Sequence, residues 1–108
     1  MKKKKDAKSI YEKLIVAELG QRIATKRRKA AESQERFSGY SNVSEGGLSM
    51  LEKGTGNPTL VRLLRISREL QISLSELFKN IERANIEIEK ARLHEHDEYL
   101  KRKVLKDK

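Results

Sequence analysis

The apolar residues in the first third of the chain recur at mostly helical spacing. Ile10, Leu14, Leu19 and Ile23 lie four or five residues apart, in a stretch (residues 7–31) that holds one glycine and no proline. Spacing of this kind gathers side chains on one face of an α-helix. The pattern therefore predicts one or two helices across residues 7–31.

Short polar segments mark where the next helices begin and end. Ser33 is the expected N-cap of a short helix over residues 34–40. Ser44 is the expected cap of a second helix, over residues 45–53. A tight turn is expected between the two helices, with Asn42 in the left-handed conformation, because asparagine accepts a left-handed backbone more readily than most residues.

A loop and two further helices follow. Residues 54–58, Gly-Thr-Gly-Asn-Pro, form the strongest loop signal in the chain. Thr59 is the expected cap of a longer helix over residues 60–70. Ser73 and Glu76 have the spacing of a capping box, which predicts another short helix. The periodicity of the longer helix predicts an inward-facing set comprising Leu60, Leu63, Leu64, Ser67 and Leu70.

After Phe78 the chain loses glycine and proline and becomes rich in Glu, Lys and Arg, which predicts a charged helix over residues 79–108. Ile81 and Ile88 form one diverging apolar pair. Charged residues interrupt the seam, so a regular coiled coil is not expected. The helix has one thin apolar edge, which comprises Ile86, Leu93, Leu100 and Val104. This edge could contact the domain or a partner subunit, and we prefer the partner subunit. No segment alternates as a strand does, so the predicted fold class is all-α.

The distribution of charge narrows the possible partners. The 108 residues include 25 Lys+Arg and 16 Asp+Glu, for a formal net charge of +9. Residues 1–18 hold six basic and three acidic residues, and residues 19–79 hold eleven basic and six acidic residues. Residues 80–108 are nearly balanced, with eight basic and seven acidic residues. A surplus on the first three-quarters of so short a chain favours a polyanionic partner, with nucleic acid ahead of an anionic membrane.

Several classes of function lack the residues they need. Without cysteine there are no disulfides, thiolate zinc sites or cysteine nucleophiles. The longest apolar run, Leu14–Ala17, is too short to cross a membrane, and the basic start lacks the apolar stretch of a secretory signal, so we expect a cytoplasmic protein. His94 and His96 point about 200° apart on a helix and do not form a metal site. We expect no catalytic residue, metal or cofactor, and therefore no enzyme.

Two short helices joined by a four-residue turn in a small basic all-α chain indicate a helix-turn-helix. The segments that sharpen this prediction are Leu19-Gly20-Gln21-Arg22-Ile23, Arg27, Ser33-Gln34-Glu35, Val43-Ser44, Leu48-Ser49, Leu51-Glu52-Lys53-Gly54, Asn57-Pro58-Thr59-Leu60 and Ile72-Ser73-Leu74-Ser75-Glu76-Leu77-Phe78. Together they resemble the Cro/phage-repressor-like (XRE-type) helix-turn-helix family. The resemblance implies a compact five-helix domain over residues 19–79, with helical extensions over residues 1–18 and 80–108.

The same resemblance implies the residues of a DNA site. The family reads bases with the first turns of its second motif helix, which here corresponds to Ser44, Glu45, Gly46, Gly47, Ser49 and Met50. Contacts to phosphate are implied for Gln34, Lys26, Arg28, Lys29, Asn57 and Arg62. The resemblance also implies that Arg27 and Glu52 pair inside the fold.

Several of these assignments leave alternatives open. Gln34 either bonds a phosphate and braces the neighbouring helix or is only a polar first-turn residue, and Asn57 is either a phosphate ligand or a turn residue before proline. Lys26, Arg28 and Lys29 contact phosphate or form a solvated face. Gly46 and Gly47 depart from the family's longer polar residues. Either their bare backbone approaches the DNA closely, or the helix is frayed and its specificity relaxed.

The expected function is a sequence-specific regulator of transcription, acting as a repressor. The resemblance implies a homodimer on double-stranded DNA with a two-fold-symmetric operator. An antitoxin-like or adaptor protein that binds a protein partner through residues 80–108 is the alternative. A third interpretation is a non-specific binder of polyanions, driven by Lys2–Lys5 and the net charge. Neither the DNA-binding regulator nor the antitoxin-like or adaptor protein is expected to associate with a membrane.

Overall fold

The computed structural model describes residues 9–82 and 86–106, and every regular element within them is an α-helix. The predicted all-α class is therefore confirmed. The first helix is continuous, so residues 10–18 of the predicted N-terminal extension and the first helix of the domain form one element, whereas Lys2–Lys5 lie outside the described residues. The six helices are α1 (Ile10–Lys29), α2 (Gln34–Ser41), α3 (Glu45–Glu52), α4 (Leu60–Glu69), α5 (Leu74–Phe78) and α6 (Ile86–Lys106).

Each of the first five helices begins at a hydroxyl side chain that accepts a hydrogen bond from a backbone N–H of the first turn. A cap of this kind stabilises a helix by about 1 kcal/mol. At α1 the bond is reciprocal, since the Glu12 carboxylate accepts from the Ser9 backbone N–H at 2.9 Å. The predicted caps Ser33, Ser44, Thr59 and Ser73 are confirmed, and Ser9 adds a fifth.

The turn between α2 and α3 has the predicted left-handed residue. Asn42 has φ 59° and ψ 39°, and its backbone N–H donates to the carbonyl of Ser38. The next residue, Val43, is buried in the core. The turn is thus held by both its backbone geometry and its packing, which fixes the angle between the two helices of the motif.

The core lies among the first five helices, in which α1 packs on α3 and α5, α2 packs on α3 and α4, and α4 packs on α5. Its completely buried large side chains are Ile23, Phe37, Leu48, Ile66 and Leu77. Gly20 lets α1 approach α3 closely, because a Cβ atom at this position would collide with the backbone carbonyl of Leu51.

The prediction for the inward face of α4 was partly wrong. Leu63 and Ser67 are buried as expected, but Leu60 is 62% exposed and Leu64 is 44% exposed. Ile66, which the predicted set omitted, is completely buried. The buried stripe faces α2 and α5, and Leu64 points about 100° away from Leu63 around the helix axis. Leucines on both sides of one helix made the inward face ambiguous.

The prediction that the charged helix begins at residue 79 was also wrong. Residues 79–82 form a turn in which Asn80 has a positive φ of 55°. This turn directs Ile81 into the core, where it is 8% exposed. Ile81 therefore belongs to the domain and not to the edge of the following helix, because its burial against the core outweighs continuation of the helical pattern.

A buried ion pair joins three helices. The Arg27 guanidinium of α1 donates to both carboxylate oxygens of Glu52 in α3, at 2.7 and 2.9 Å. Gln34 of α2 donates from Nε2 to the same carboxylate at 2.9 Å, and Arg27 also donates to the Glu32 carbonyl at 2.6 Å. Burial of the Glu52 carboxylate opposes its ionisation, but the hydrogen bonds from Arg27 and Gln34 outweigh burial and hold its pKa below the usual 4.5.

We expect Glu52→Ala to lower the free energy of unfolding by about 3 kcal/mol, because it leaves the Arg27 guanidinium buried without its anion. The side chains of the pair are only 8% and 4% exposed. Urea denaturation followed by circular dichroism measures the change. Glu35→Ala on exposed α2 surface is the matched control and should cost less than about 1 kcal/mol. Equal effects of the two substitutions would contradict the structural role of the pair.

Candidate nucleic-acid interface

One face of α3 is open to solvent along the whole helix. Leu48 and Leu51 are buried on the opposite side. Positions one, two, five and six of a helix share a face, so the exposed side chains form a single strip. A helix of eight residues is about 12 Å long and fits within the major groove of DNA. The strip comprises the exposed residues Glu45, Gly46 and Met50 and the half-buried Ser49, which are four of the six predicted base-reading residues.

The other two predicted base-reading residues build the start of α3. The Ser44 hydroxyl oxygen accepts a hydrogen bond from the Gly47 backbone N–H at 3.1 Å, which leaves the hydroxyl hydrogen available to donate. A Cβ atom on Gly47 would lie 2.8 Å from that oxygen, closer than packed atoms approach. A Cβ atom on Gly46 would have no neighbour within 4 Å. The absence of a side chain at Gly47 therefore leaves room for the Ser44 cap, whereas Gly46 lies on the surface with space for a side chain.

A crevice of about 130 Å³ separates α3 from the start of α4. Four predicted site residues line it, namely Gly47, Met50, Asn57 and Arg62. Arg62 extends over the first turn of α3, with Nη1 3.9 Å from the position of a Cβ on Gly47. Within the described part of the chain its guanidinium has no hydrogen-bond or ion-pair partner. An unpaired cation beside the bare backbone of α3 is available to an anionic ligand.

Gln34 lies at the start of α2 with its side chain directed inward. Its amide donates to Glu52 at the end of α3, so the residue braces the two helices of the motif against each other. The free backbone N–H groups of the first turn remain at this end of α2, where they favour an anion. A phosphate contact at Gln34 stays a prediction.

The three basic residues near the end of α1 do not share one surface. Lys26 and Lys29 line a shallow cleft together with Glu18 and Arg22. Arg28 lies on the side of Glu52, where its charge helps to lower the pKa of that carboxyl. Arg28 is therefore placed nearer the motif than the two lysines are.

Sequence reasoning missed two residues that position α3. Thr55 donates from its hydroxyl to the carbonyl of Met50 at 2.9 Å and so closes the end of the helix. Arg65 donates to the carbonyl of Asn42 at 3.3 Å and supports the turn. A threonine after a predicted helix end was a usable signal. The Arg65 contact spans 23 residues and has no local signature.

No helix within residues 9–82 and 86–106 is long and apolar enough to span a membrane. His94 is exposed, and the His96 ring stacks on Tyr99 with 6.5 Å between ring centroids. Among the described side chains, no three His, Asp or Glu converge as ligands of a metal ion.

Comparison with known proteins agrees with this geometry. A family model described as helix-turn-helix matches residues 23–77. The control protein C.MunI of Mycoplasma sp is 43% identical over 51 residues, which are 47% of this chain and 69% of that protein. The crystal structure of the restriction-modification controller protein C.AhdI from Aeromonas hydrophila superposes with a TM-score of 0.57 at 30% identity, covering 58% of this chain and 96% of that one.

We expect Gly46→Ala and Gly47→Ala to differ in stability. Alanine stabilises a helix interior by about 1 kcal/mol relative to glycine, and Gly46 has open space for the methyl group. At Gly47 the methyl group displaces the Ser44 cap, so most of that gain is lost. Thermal unfolding of the two variants measures the difference. The assignment of Gly47 to the cap would be wrong if both variants were stabilised equally.

Arg62→Ala should weaken binding to duplex DNA and reduce its salt dependence. Loss of one phosphate contact lowers the slope of log affinity against log salt by about 0.9. Fluorescence anisotropy at several salt concentrations measures this slope. Arg68→Ala, six residues further along α4, is the control and should leave the slope unchanged. An unchanged slope in Arg62→Ala would remove this residue from the interface.

Proposed function

The chain belongs to the Cro/phage-repressor-like (XRE-type) helix-turn-helix family of DNA-binding transcription regulators, and on this premise we propose that it binds a specific operator in the cytoplasm as a homodimer. The observation that carries the proposal is the open strip on α3, flanked by the unpaired guanidinium of Arg62. A helix presented in this way, on a rigid domain with surplus positive charge, suits the major groove of DNA.

In the proposed complex, the strip on α3 meets the edges of the bases. The Glu45 carboxylate accepts a hydrogen bond from cytosine N4, and the Ser49 hydroxyl bonds to a base or phosphate. Met50, which is 52% exposed, contacts a thymine methyl group. Arg62 and the first turn of α2 bind phosphates on either side, which sets the register of α3 in the groove.

The relatives suggest which genes are regulated. C.MunI is named a control protein, and C.AhdI a restriction-modification controller protein. Identities of 43% and 30% over most of those proteins support a shared role. We therefore propose that the chain controls genes of a restriction-modification system.

An apolar patch on α4 supports the homodimer. It comprises Leu60, Val61 and Leu64, which are 62%, 53% and 44% exposed. Three neighbouring aliphatic side chains of this exposure gain stability when they are covered. In a two-fold dimer the same patch meets its copy, and each subunit then presents one α3 to one half-site. We propose this surface as the primary dimer contact, in place of the apolar edge of the C-terminal helix.

Titration of the DNA upstream of its own gene tests the proposed function. We expect tighter binding to this DNA than to a random duplex of the same length at moderate salt. Repression stays a prediction, and a reporter driven by the bound promoter tests it through reduced expression. Equal affinity for the two duplexes would favour the non-specific alternative.

Leu64→Glu should weaken the α4-mediated dimer at least about 100-fold, because it places a charge in the apolar contact of both subunits. Sedimentation equilibrium measures the association, and DNA affinity should fall in parallel. Arg68→Glu on the same helix is a charge-changing control expected to have a smaller effect. If Leu64→Glu leaves both association and DNA affinity intact, the patch on α4 is not the dimer contact.

A further inference from the structure

The last helix, α6, lies outside the segment that matches the helix-turn-helix family, which ends at residue 77. Its first half is attached to the domain. The Tyr11 hydroxyl donates to Glu82 at 3.1 Å, and Arg92 pairs with the same carboxylate at 3.5 Å. The backbone N–H of Tyr11 donates to the Glu95 carboxylate at 3.4 Å, which places Glu95 at the start of α1. The helix is thus anchored as far as Glu95.

Beyond Glu95 the helix has no cover from the rest of the described chain. Every side chain over residues 96–104 is exposed. Three residues of the apolar edge predicted from the sequence are exposed, namely Leu93 (58%), Leu100 (44%) and Val104 (57%), and the side chain of Ile86 lies outside the described part of the structure. These three residues, seven and four positions apart, form a stripe along one side of the helix.

The charges on α6 are divided between its two halves. Residues 93–98 contain three acidic residues and no Lys or Arg, whereas residues 99–104 contain three basic residues and none acidic. Two copies of this helix side by side in parallel bring like charges together. In the antiparallel arrangement the acidic half of each copy lies along the basic half of the other, which is favourable.

We propose that α6 is a self-association arm that pairs antiparallel with α6 of a second copy of this chain. The two-fold axis passes between residues 98 and 99, so Leu93 of one copy packs on Val104 of the other. Leu100 then packs beside Asp97, which borders the stripe and whose carboxylate pairs with Lys101 at 3.3 Å. This contact is separate from the patch on α4, so the two together link more than two chains.

The absence of cysteine from the chain permits a direct test with single cysteine variants of the full-length protein. Leu93→Cys and Val104→Cys are oxidised separately and as an equimolar mixture. Residues 93 and 104 are about 16 Å apart along a helix, too far for a disulfide between identical positions of an antiparallel pair. We therefore expect the mixed disulfide to form at least about tenfold faster than either homodisulfide.

The other outcomes decide against the proposal in distinct ways. Rapid homodisulfides of each variant would show parallel pairing, and rates equal to that of Arg102→Cys, on the outer face of α6, would show no self-pairing. In the latter case a different protein becomes the candidate partner for the stripe. Repeating the oxidation with Leu64→Glu present in both variants separates pairing through α6 from dimerisation through α4, since the preference for the mixed disulfide should persist.

Discussion

The buried carboxylate of Glu52 is the constraint on which the arrangement of the motif depends. It accepts hydrogen bonds from α1 through Arg27 and from α2 through Gln34, while it belongs to the last turn of α3. A charge removed from water is tolerated only when its hydrogen bonds are made, so the three helices have one favourable relative placement. The exposed strip on α3 is a consequence, because Glu52 and the buried leucines determine which side of the helix faces outward.

The features of the fold that could be predicted from the sequence are those with a local cause. Hydroxyl caps and the left-handed Asn42 act within four residues of their own positions, and both are seen. The Arg27–Glu52 pair spans 25 residues, and only the family resemblance made it predictable. The inward face of α4 and the burial of Ile81 depend on which neighbour covers a side chain, and periodicity alone does not contain that information.

The candidate site shows the same division. The placement of Glu45, Ser49 and Met50 on an open face follows from helical spacing, and their common strip is seen. The different roles of Gly46 and Gly47 could not be predicted from the sequence, because only the packing shows that a side chain at position 47 would displace the Ser44 cap. Arg62 lies 15 residues further along the chain, yet its guanidinium occupies the space beside Gly47. The candidate surface for DNA is therefore shared between α3 and α4.

Selection of bound sequences from a random pool of duplexes tests the central claim most directly, since it assumes neither an operator nor a target gene. If α3 reads bases within a two-fold dimer, the enriched sequences will form an inverted repeat with half-site centres about 34 Å, or one helical turn, apart. Enrichment of no sequence over the starting pool, or of a single unsymmetrical site, would contradict the claim.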